Sequence, residues 1–151
     1  MGKITPFLWF DNQAEEAANF YVSIFKNSKV NSVVRSGEGT PVTLIKFELD
    51  GQQFLALNGG PTFKFNEAIS LLVDCETQEE VDELWARLSE GGESIQCGWL
   101  KDRYGLAWQI VPTIFGELMS SPDATKRDRV FNAMLKMTKF DIQALKDAYN
   151  G

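Results

Sequence analysis

Histidine and cysteine, which often carry acid–base and nucleophilic chemistry, are scarce in this 151-residue chain, which contains no histidine and only two cysteines. The lack of histidine excludes Ser-His-Asp and Cys-His catalysis and every zinc site that needs an imidazole ligand. Cys97 could act as a nucleophile if a cation such as Lys101 or Arg103 favoured its thiolate, but the sequence favours an inert buried thiol. Cys75 stands between two acidic residues, whose charge disfavours the thiolate, so we expect it to be unreactive.

Two carboxylates and one glycine-rich turn are further candidates for chemistry or binding. Glu48 and Glu67 could serve as general bases, but the sequence favours a surface position for each of them, because no pair of carboxylates has a telling spacing. Asn58 begins the segment Asn58-Gly59-Gly60, whose backbone N–H groups could bind an anion. Because this segment lacks the lysine and the following helix of a phosphate-binding loop, its sequence favours a structural turn.

Aromatic side chains are concentrated on segments with strand-like sequence, and this pattern suggests a ligand site. Aromatic residues on strands most often belong to the core, but the pleat sends alternate side chains to opposite faces of a sheet. Those on the exposed face would suit a stacking site for a planar or apolar ligand. The residues concerned are Phe7, Trp9, Phe54, Trp99 and Trp108.

Composition and charge narrow the classes of partner. The net charge of −6 disfavours binding to nucleic acid. The basic cluster Lys126-Arg127 with Arg129 is interrupted by Asp128 and lies on a predicted helix, which is typical of a solvated face. No apolar run approaches the length of a membrane span. Since Met1–Pro6 lacks the apolar core of a signal peptide, we expect a cytoplasmic location with reduced cysteines.

A sequence repeat indicates which elements position these residues. Leu8–Asp11 leads into Glu15-Glu16, and Leu71–Asp74 leads in the same way into Glu79-Glu80. Each copy is an apolar strand, an acidic turn and an amphipathic helix, followed by a strand-rich stretch. The repeat predicts an α+β fold of two βαβββ units with a cleft between them. We place unit one at residues 3–61, unit two at 66–112 and a helical extension at 113–151.

Short motifs predict where the two helices of the repeat begin. Asn12 and Glu15 have the spacing of a capping box at the start of the first helix, and Thr77 and Glu80 have the same spacing at the start of the second. In the extension, Asp141 is placed to cap the last helix.

Two glycine-containing turns align the strands that follow the helices. Asp50-Gly51 is a strong hairpin signal, and Asp102 to Gly105 is a turn in which aspartate and glycine favour the first and last positions. If these turns are equivalent, Phe54 corresponds to Trp108, and the second unit has lost part of its middle strands.

The chain resembles the vicinal oxygen chelate superfamily, and within it the PhnB-like branch that is labelled "3-demethylubiquinone-9 3-methyltransferase". The resemblance rests on Phe7–Asp11, Glu15–Tyr21, Ala56–Pro61 and, above all, Cys97–Gly105 running into Trp108–Pro112. It implies the glyoxalase/bleomycin-resistance fold, in which a curved mixed sheet surrounds a cleft, followed here by C-terminal helices. It also implies a homodimer.

The resemblance places metal ligands near Thr5, near Ala68 and at Gln109, where metal-dependent members usually have His, Glu or Gln. Gln109 alone keeps a plausible ligand oxygen, so we expect no metal and no other cofactor. The methyltransferase label would imply a glycine-rich loop after the first strand, but the chain there reads Asp11-Asn12-Gln13-Ala14.

Three hypotheses follow for the function. The first is a protein that binds a small organic or aromatic ligand in the cleft without a metal. The second is an enzyme of the same superfamily in which Gln109 retains a weak metal site. The third is a dimeric scaffold assembled through the helical extension. Under the first hypothesis the ligand-binding residues are Trp9, Phe54, Asn58, Cys97, Trp99, Trp108 and Gln109.

Overall fold

The computed structural model describes residues 2–37 and 42–151, and the chain divides into two compact units, Met1–Phe65 and Asn66–Gly151. Unit 1 is a four-stranded sheet with one helix, and its strand order is β1-β4-β3-β2. Strand β1 is parallel to β4, and the other pairs are antiparallel. Its elements are β1 (Phe7–Phe10), α1 (Ala14–Ile24), β2 (Lys29–Arg35), β3 (Val42–Leu49) and β4 (Gln52–Asn58).

Helix α1 covers one face of this sheet with small side chains and one tyrosine. Its residues Ala14, Ala17, Ala18 and Tyr21 are buried, because alanines let the helix approach the strands closely. The ring of Tyr21 stacks on Phe47 with the ring centroids 6.5 Å apart, and Phe47 stacks on Phe54 with the centroids 5.3 Å apart. The core of unit 1 therefore lies between α1 and the sheet.

Unit 2 repeats the same order of elements. Its sheet has the order β5-β8-β7-β6, with β5 parallel to β8, so the predicted pair of βαβββ units is confirmed. Strands β6 and β7 have 2 and 3 residues where β2 and β3 have 7 and 8, as expected from the shortened repeat. The elements are β5 (Ser70–Cys75), α2 (Gln78–Ser89), β6 (Glu93–Ser94), β7 (Trp99–Lys101) and β8 (Ala107–Pro112).

The strand register corrects one equivalence drawn from the turns. Leu8 and Leu71 are matched by the repeat, and they pair with Ala56 and Trp108 respectively. Ala56, rather than Phe54, is therefore the counterpart of Trp108. The turns mislead because the β3–β4 pairing continues toward its turn for longer than the β7–β8 pairing does.

The residues after β8 fold as three helices that belong to unit 2: α3 (Thr113–Met119), α4 (Ala124–Leu135) and α5 (Ile142–Asn150). The Gln78 side chain joins α2 to this region, since it donates to the Phe140 carbonyl at 3.0 Å and accepts from the Ile142 N–H at 2.8 Å. Phe140 is buried against Phe115. No helix in the described part of the chain is long and apolar enough to cross a membrane.

Two of the three predicted helix N-caps are confirmed, and one is wrong. Thr77 accepts from the Glu80 N–H at 3.1 Å, and Asp141 accepts from the Ala144 N–H at 3.0 Å, as predicted. At α1, however, the predicted capping box of Asn12 is wrong, because the N-cap residue is Gln13 and makes no side-chain cap. The cap comes from Asn58, whose Oδ1 accepts from the Ala14 N–H at 2.8 Å.

Candidate functional site

Each sheet has a helix on one side, and we call the opposite side its open face. In β1, Leu8 and Phe10 are buried toward the helix, so Phe7 and Trp9 lie on the open face. The strand register extends this face across β4 and β3, because paired residues point to the same side. The open face of the first sheet thus carries Phe7, Trp9, Leu44, Lys46, Glu48, Gln53, Leu55 and Leu57.

Trp9 is held in place by the loop that follows β4. Its indole Nε1 donates to the Gly60 carbonyl at 2.9 Å, and its ring makes a T-shaped contact with the Phe63 ring, with the ring centroids 4.9 Å apart. A Cβ atom at Gly59 would overlap the indole ring, so this close approach requires glycine. The half-buried indole is therefore fixed on the open face.

The open face of the second sheet presents an apolar, an amide and an aromatic side chain in one row. Leu72 on β5 pairs with Gln109 on β8, which pairs with Trp99 on β7. The Gln109 Nε2 donates to the Ser70 hydroxyl at 2.9 Å, which fixes the orientation of the amide. Leu72 is 52% exposed, and Trp99 and Gln109 are half-buried.

Lys101 lies on the same open face and is neutralised by Glu67. The two side chains form a salt bridge, and their hydrogen bond is the main cause that raises the pKa of Lys101 and lowers the pKa of Glu67. Glu93, which pairs with Lys101 in the register, also raises the pKa of Lys101 by its charge. A carboxylate whose pKa is lowered is a weaker base, so this geometry disfavours Glu67 as a general base.

Two of the aromatic candidates lie on the helix-facing side instead. Phe54 is 5% exposed and stacks on Phe47. Trp108 is 2% exposed, and its indole Nε1 donates to Asp102 Oδ2 at 2.9 Å. Strand alternation therefore divides the predicted aromatic set into Trp9 and Trp99 on the open faces and Phe54 and Trp108 in the two cores.

Asp102 organises the turn between β7 and β8. Its Oδ1 accepts from the backbone N–H groups of Tyr104 at 2.9 Å and Leu106 at 3.1 Å, while its Oδ2 accepts from Trp108. Asp102 is 2% exposed, and a buried carboxylate needs such partners. The predicted structural role of this turn is confirmed.

Asn58 and the two cysteines lie in structural surroundings. Asn58 caps α1, as described above. Cys97 is half-buried in a turn with φ of 61°, where its N–H donates to the Met137 carbonyl at 2.8 Å. Cys75 is fully buried, and burial, followed by the charge of Glu80, raises the pKa of its thiol to about 12.

Sequence reasoning missed several open-face residues, namely Ser70, Leu72, Lys46 and Gln53. The alternation of Gln53 with Leu55 and Leu57 was a usable signal for β4. Ser70 could be found only from the parallel pairing of β5 with β8, since Gln109 is far away in the sequence.

The donors on this chain do not fit the groups that the resemblance implies. A threonine hydroxyl, an alanine and one amide stand at the three expected metal positions, Thr5, Ala68 and Gln109. In the described ranges, no three His, Cys, Asp or Glu side chains form a group that could hold a metal ion. A doubly wound parallel sheet, the usual frame for S-adenosylmethionine, does not match either mixed sheet.

Comparison with known proteins relates the chain to one family and one fold. Residues 2–111 match the family described as 3-demethylubiquinone-9 3-methyltransferase. The PhnB protein from Bacillus cereus is 37% identical, with a TM-score of 0.69 over 74% of this chain and 99% of that chain. No curated protein matches the chain.

More distant structures share the fold alone. A protein from Pseudomonas aeruginosa is 17% identical, with a TM-score of 0.64 over 74% of this chain and 98% of that chain. A fosfomycin resistance protein from Listeria monocytogenes, solved with Mn(II) and sulfate, is 16% identical, with a TM-score of 0.53 over 74% of this chain and 89% of that chain. These likenesses agree with the vicinal oxygen chelate fold predicted from the repeat and its resemblance.

Proposed function

The chain belongs to the PhnB-like family described as 3-demethylubiquinone-9 3-methyltransferase, within the vicinal oxygen chelate superfamily, and we propose that it binds a small planar organic ligand without a metal. The observation that carries this proposal is the open-face row of Leu72, Gln109 and Trp99. A flat apolar ligand can stack on the indole, while the amide supplies one directional hydrogen bond.

The hydrogen bond between Gln109 and Ser70 supports a binding role, because it holds the amide in one orientation before a ligand arrives. Trp9 offers a second fixed indole on the first sheet. Cys97, which lies two residues before Trp99, is a further proposed contact. Phe54, Asn58 and Trp108 contribute through packing and capping, since their side chains already serve the cores of the two units.

A catalytic role gains less support from the residues. The family's description names a methyl transfer, but neither unit has the doubly wound parallel sheet that usually binds S-adenosylmethionine. The side chains at Thr5, Ala68 and Gln109 do not form a suitable ligand set for a divalent metal. Glu67 is engaged by Lys101. Ligand binding therefore fits the open faces better than turnover does.

We also propose a cytoplasmic homodimer. Both cysteines are free thiols, which suits a reducing compartment. The family resemblance implies a dimer, and burial against a second copy would remove exposed apolar side chains such as Ile4 and Ile69, which are 87% and 65% exposed, from water. Analytical ultracentrifugation tests this, since a protein that sediments at the mass of one chain at micromolar concentration would refute the dimer.

The ligand proposal can be tested in two steps. Native mass spectrometry of protein purified without chelator or affinity tag should show an added organic mass and no metal. Binding of methyl naphthalene-2-carboxylate, followed by titration calorimetry, should then weaken about three- to tenfold in Trp99→Ala, as expected for the loss of one stacking contact. Gln109→Leu should weaken it similarly.

Trp85→Ala is the matched control, because Trp85 lies on α2 and not on an open face. Circular dichroism should show that all three variants are folded. Equal affinity in Trp99→Ala and the unmodified protein would contradict the proposed site. A stoichiometric divalent metal in the native mass spectrum would contradict the proposal that the ligand binds without a metal.

A further inference from the structure

The first sheet carries a polar pair on its open face that the planar-ligand row does not use. Glu48 on β3 and Gln53 on β4 are paired in the register and are both half-buried. The Gln53 Nε2 donates to Glu48 Oε1 at 2.8 Å, and the Asn31 Nδ2 donates to the same oxygen at 3.2 Å. Glu48 Oε1 therefore accepts both of these hydrogen bonds.

Two oxygen atoms of this pair accept no hydrogen bond from the residues that the structure describes. Gln53 Oε1 is buried, and none of the residues that the structure describes donates a hydrogen bond to it. The orientation of the amide is fixed, because the flipped amide would set its oxygen against the Glu48 carboxylate. Within the same described ranges, Glu48 Oε2 takes part in no hydrogen bond or salt bridge.

A buried carbonyl without a donor is unfavourable, and such groups in folded proteins usually have an explanation. The surrounding charges indicate what kind of donor would fit. Lys29 lies directly across from Glu48, and Lys46 lies on the same open face beside Leu55. The positive charges of these two lysines repel a cationic ligand, so a neutral donor is favoured.

The surface next to the polar pair is apolar. Leu55 and Leu57 follow Gln53 on the same face of β4, and both are half-buried. Alternate residues on a strand are about 7 Å apart, so a short apolar chain could extend from the polar pair over these leucines.

We propose that Gln53 and Glu48 form a subsite for a neutral N–H donor group, such as a primary amide, at the end of a ligand with an apolar body lying over Leu55 and Leu57. The inference rests on the proposed use of the open faces for ligand binding, but it involves other residues, in the other unit. One N–H group of a primary amide would bind Glu48 Oε2, and the other would bind Gln53 Oε1 once the side chains that cover this buried oxygen move aside.

If this subsite exists, Gln53→Leu should stabilise the unliganded protein and weaken its binding of the amide. Gln53→Leu removes the buried unpaired carbonyl, so we expect the Tm of the unliganded protein to rise by about 2–4 °C. The same change should abolish recognition of the amide. If Gln53 had only a structural role through its bond to Glu48, Gln53→Leu would instead lower the Tm.

The probes are 4-phenylbutanamide and methyl 4-phenylbutanoate, which are both neutral and share the same apolar body, although the amide alone has N–H donors. We expect the unmodified protein to bind the amide at least about tenfold more tightly than the ester by titration calorimetry. Gln53→Leu should bring the two affinities to within about twofold of one another. Gln52→Leu is the control, because Gln52 is exposed and alternates to the other side of β4.

Three outcomes would overturn the subsite: equal affinities of the two probes for the unmodified protein, failure of both to bind, or an amide preference that survives in Gln53→Leu. Trp99→Ala separates this inference from the planar-ligand proposal, since it lies in the other unit. A preference for the amide that depends on Gln53 supports the subsite even if Trp99→Ala leaves binding of methyl naphthalene-2-carboxylate unchanged.

Discussion

The indole of Trp108 donates a hydrogen bond of 2.9 Å to the Asp102 carboxylate, and both residues are 2% exposed. The other carboxylate oxygen of Asp102 accepts from the backbone N–H groups of Tyr104 and Leu106. The Asp102 side chain therefore connects the β7–β8 turn to the core of unit 2. The same strands carry Trp99, Lys101 and Gln109 on their open face. The turn therefore positions the proposed site without contributing to it chemically.

Replacement of that carboxylate should cost considerable stability. In Asp102→Asn the amide group must turn its NH₂ toward either the Trp108 indole or the two backbone N–H groups, so donors face donors. We expect a loss of about 2–3 kcal/mol in the free energy of unfolding, measured by urea titration. Asp50→Asn in the other hairpin should change it by less than about 0.5 kcal/mol, because Asp50 is exposed and asparagine tolerates its φ of 48°. Equal effects at both positions would be inconsistent with a buried acceptor role for Asp102.

The cap of α1 makes a second prediction, which distinguishes the structure from the sequence pattern. Asn58→Ala removes the oxygen that accepts from the Ala14 N–H, so the free energy of unfolding should fall by about 1 kcal/mol. Asn12→Ala should change it by less than about 0.5 kcal/mol, because Asn12 is exposed and the N-cap position belongs to Gln13. If Asn12→Ala proved the more damaging of the two in the same denaturation experiment, the cap assigned to Asn58 would be wrong.

Two glycines should respond to alanine in opposite directions. Gly98 has a φ of +82°, and an added Cβ would overlap the Phe140 ring and lie 3.1 Å from the Ile110 carbonyl oxygen. We expect Gly98→Ala to lower the free energy of unfolding by about 3 kcal/mol. A Cβ added at Gly116 in α3 would meet no other atom within 4 Å, so Gly116→Ala should raise the free energy of unfolding by about 0.5–1 kcal/mol. Thermal and urea unfolding check the pair, and a neutral Gly98→Ala would contradict the close packing on Phe140.

Cys75 gives a prediction for alkaline pH. Burial raises the pKa of its thiol from 9.0 to about 12, so the folded state favours the neutral thiol. The resulting stability is fully present below pH 9 and is lost as the pH rises toward 12. The free energy of unfolding should therefore fall more steeply above pH 9 in the unmodified protein than in Cys75→Ala. Parallel pH profiles of the two proteins would show that the thiol is not responsible.

Reactivity with a thiol reagent gives an independent check on the same residue. At pH 8, 5,5′-dithiobis(2-nitrobenzoate) should not modify Cys75 in the folded protein, because the side chain is buried and neutral. Both thiols should react after unfolding in urea. Rapid modification of Cys75 under native conditions would contradict its burial in unit 2.

Features that depend on neighbouring residues were predictable from the sequence. The repeat of strand, helix and strands gave the βαβββ order, and the spacing of Thr77 and Glu80 gave the start of α2. Asp102 and Gly105 gave a turn for the same reason, since the bonds that define it join residues only a few positions apart.

Only the tertiary structure decided which face each strand residue occupies and which distant group it meets. Alternation divides Trp9 from Phe10, but packing of α1 on one side makes Phe10 core and leaves Trp9 on the open face. The cap of α1 comes from Asn58, 44 residues away from Ala14, and Gln109 meets Ser70 through parallel pairing of β5 with β8. Local spacing determines hydrogen bonds within a turn, whereas contacts between distant segments depend on packing that spacing alone does not specify.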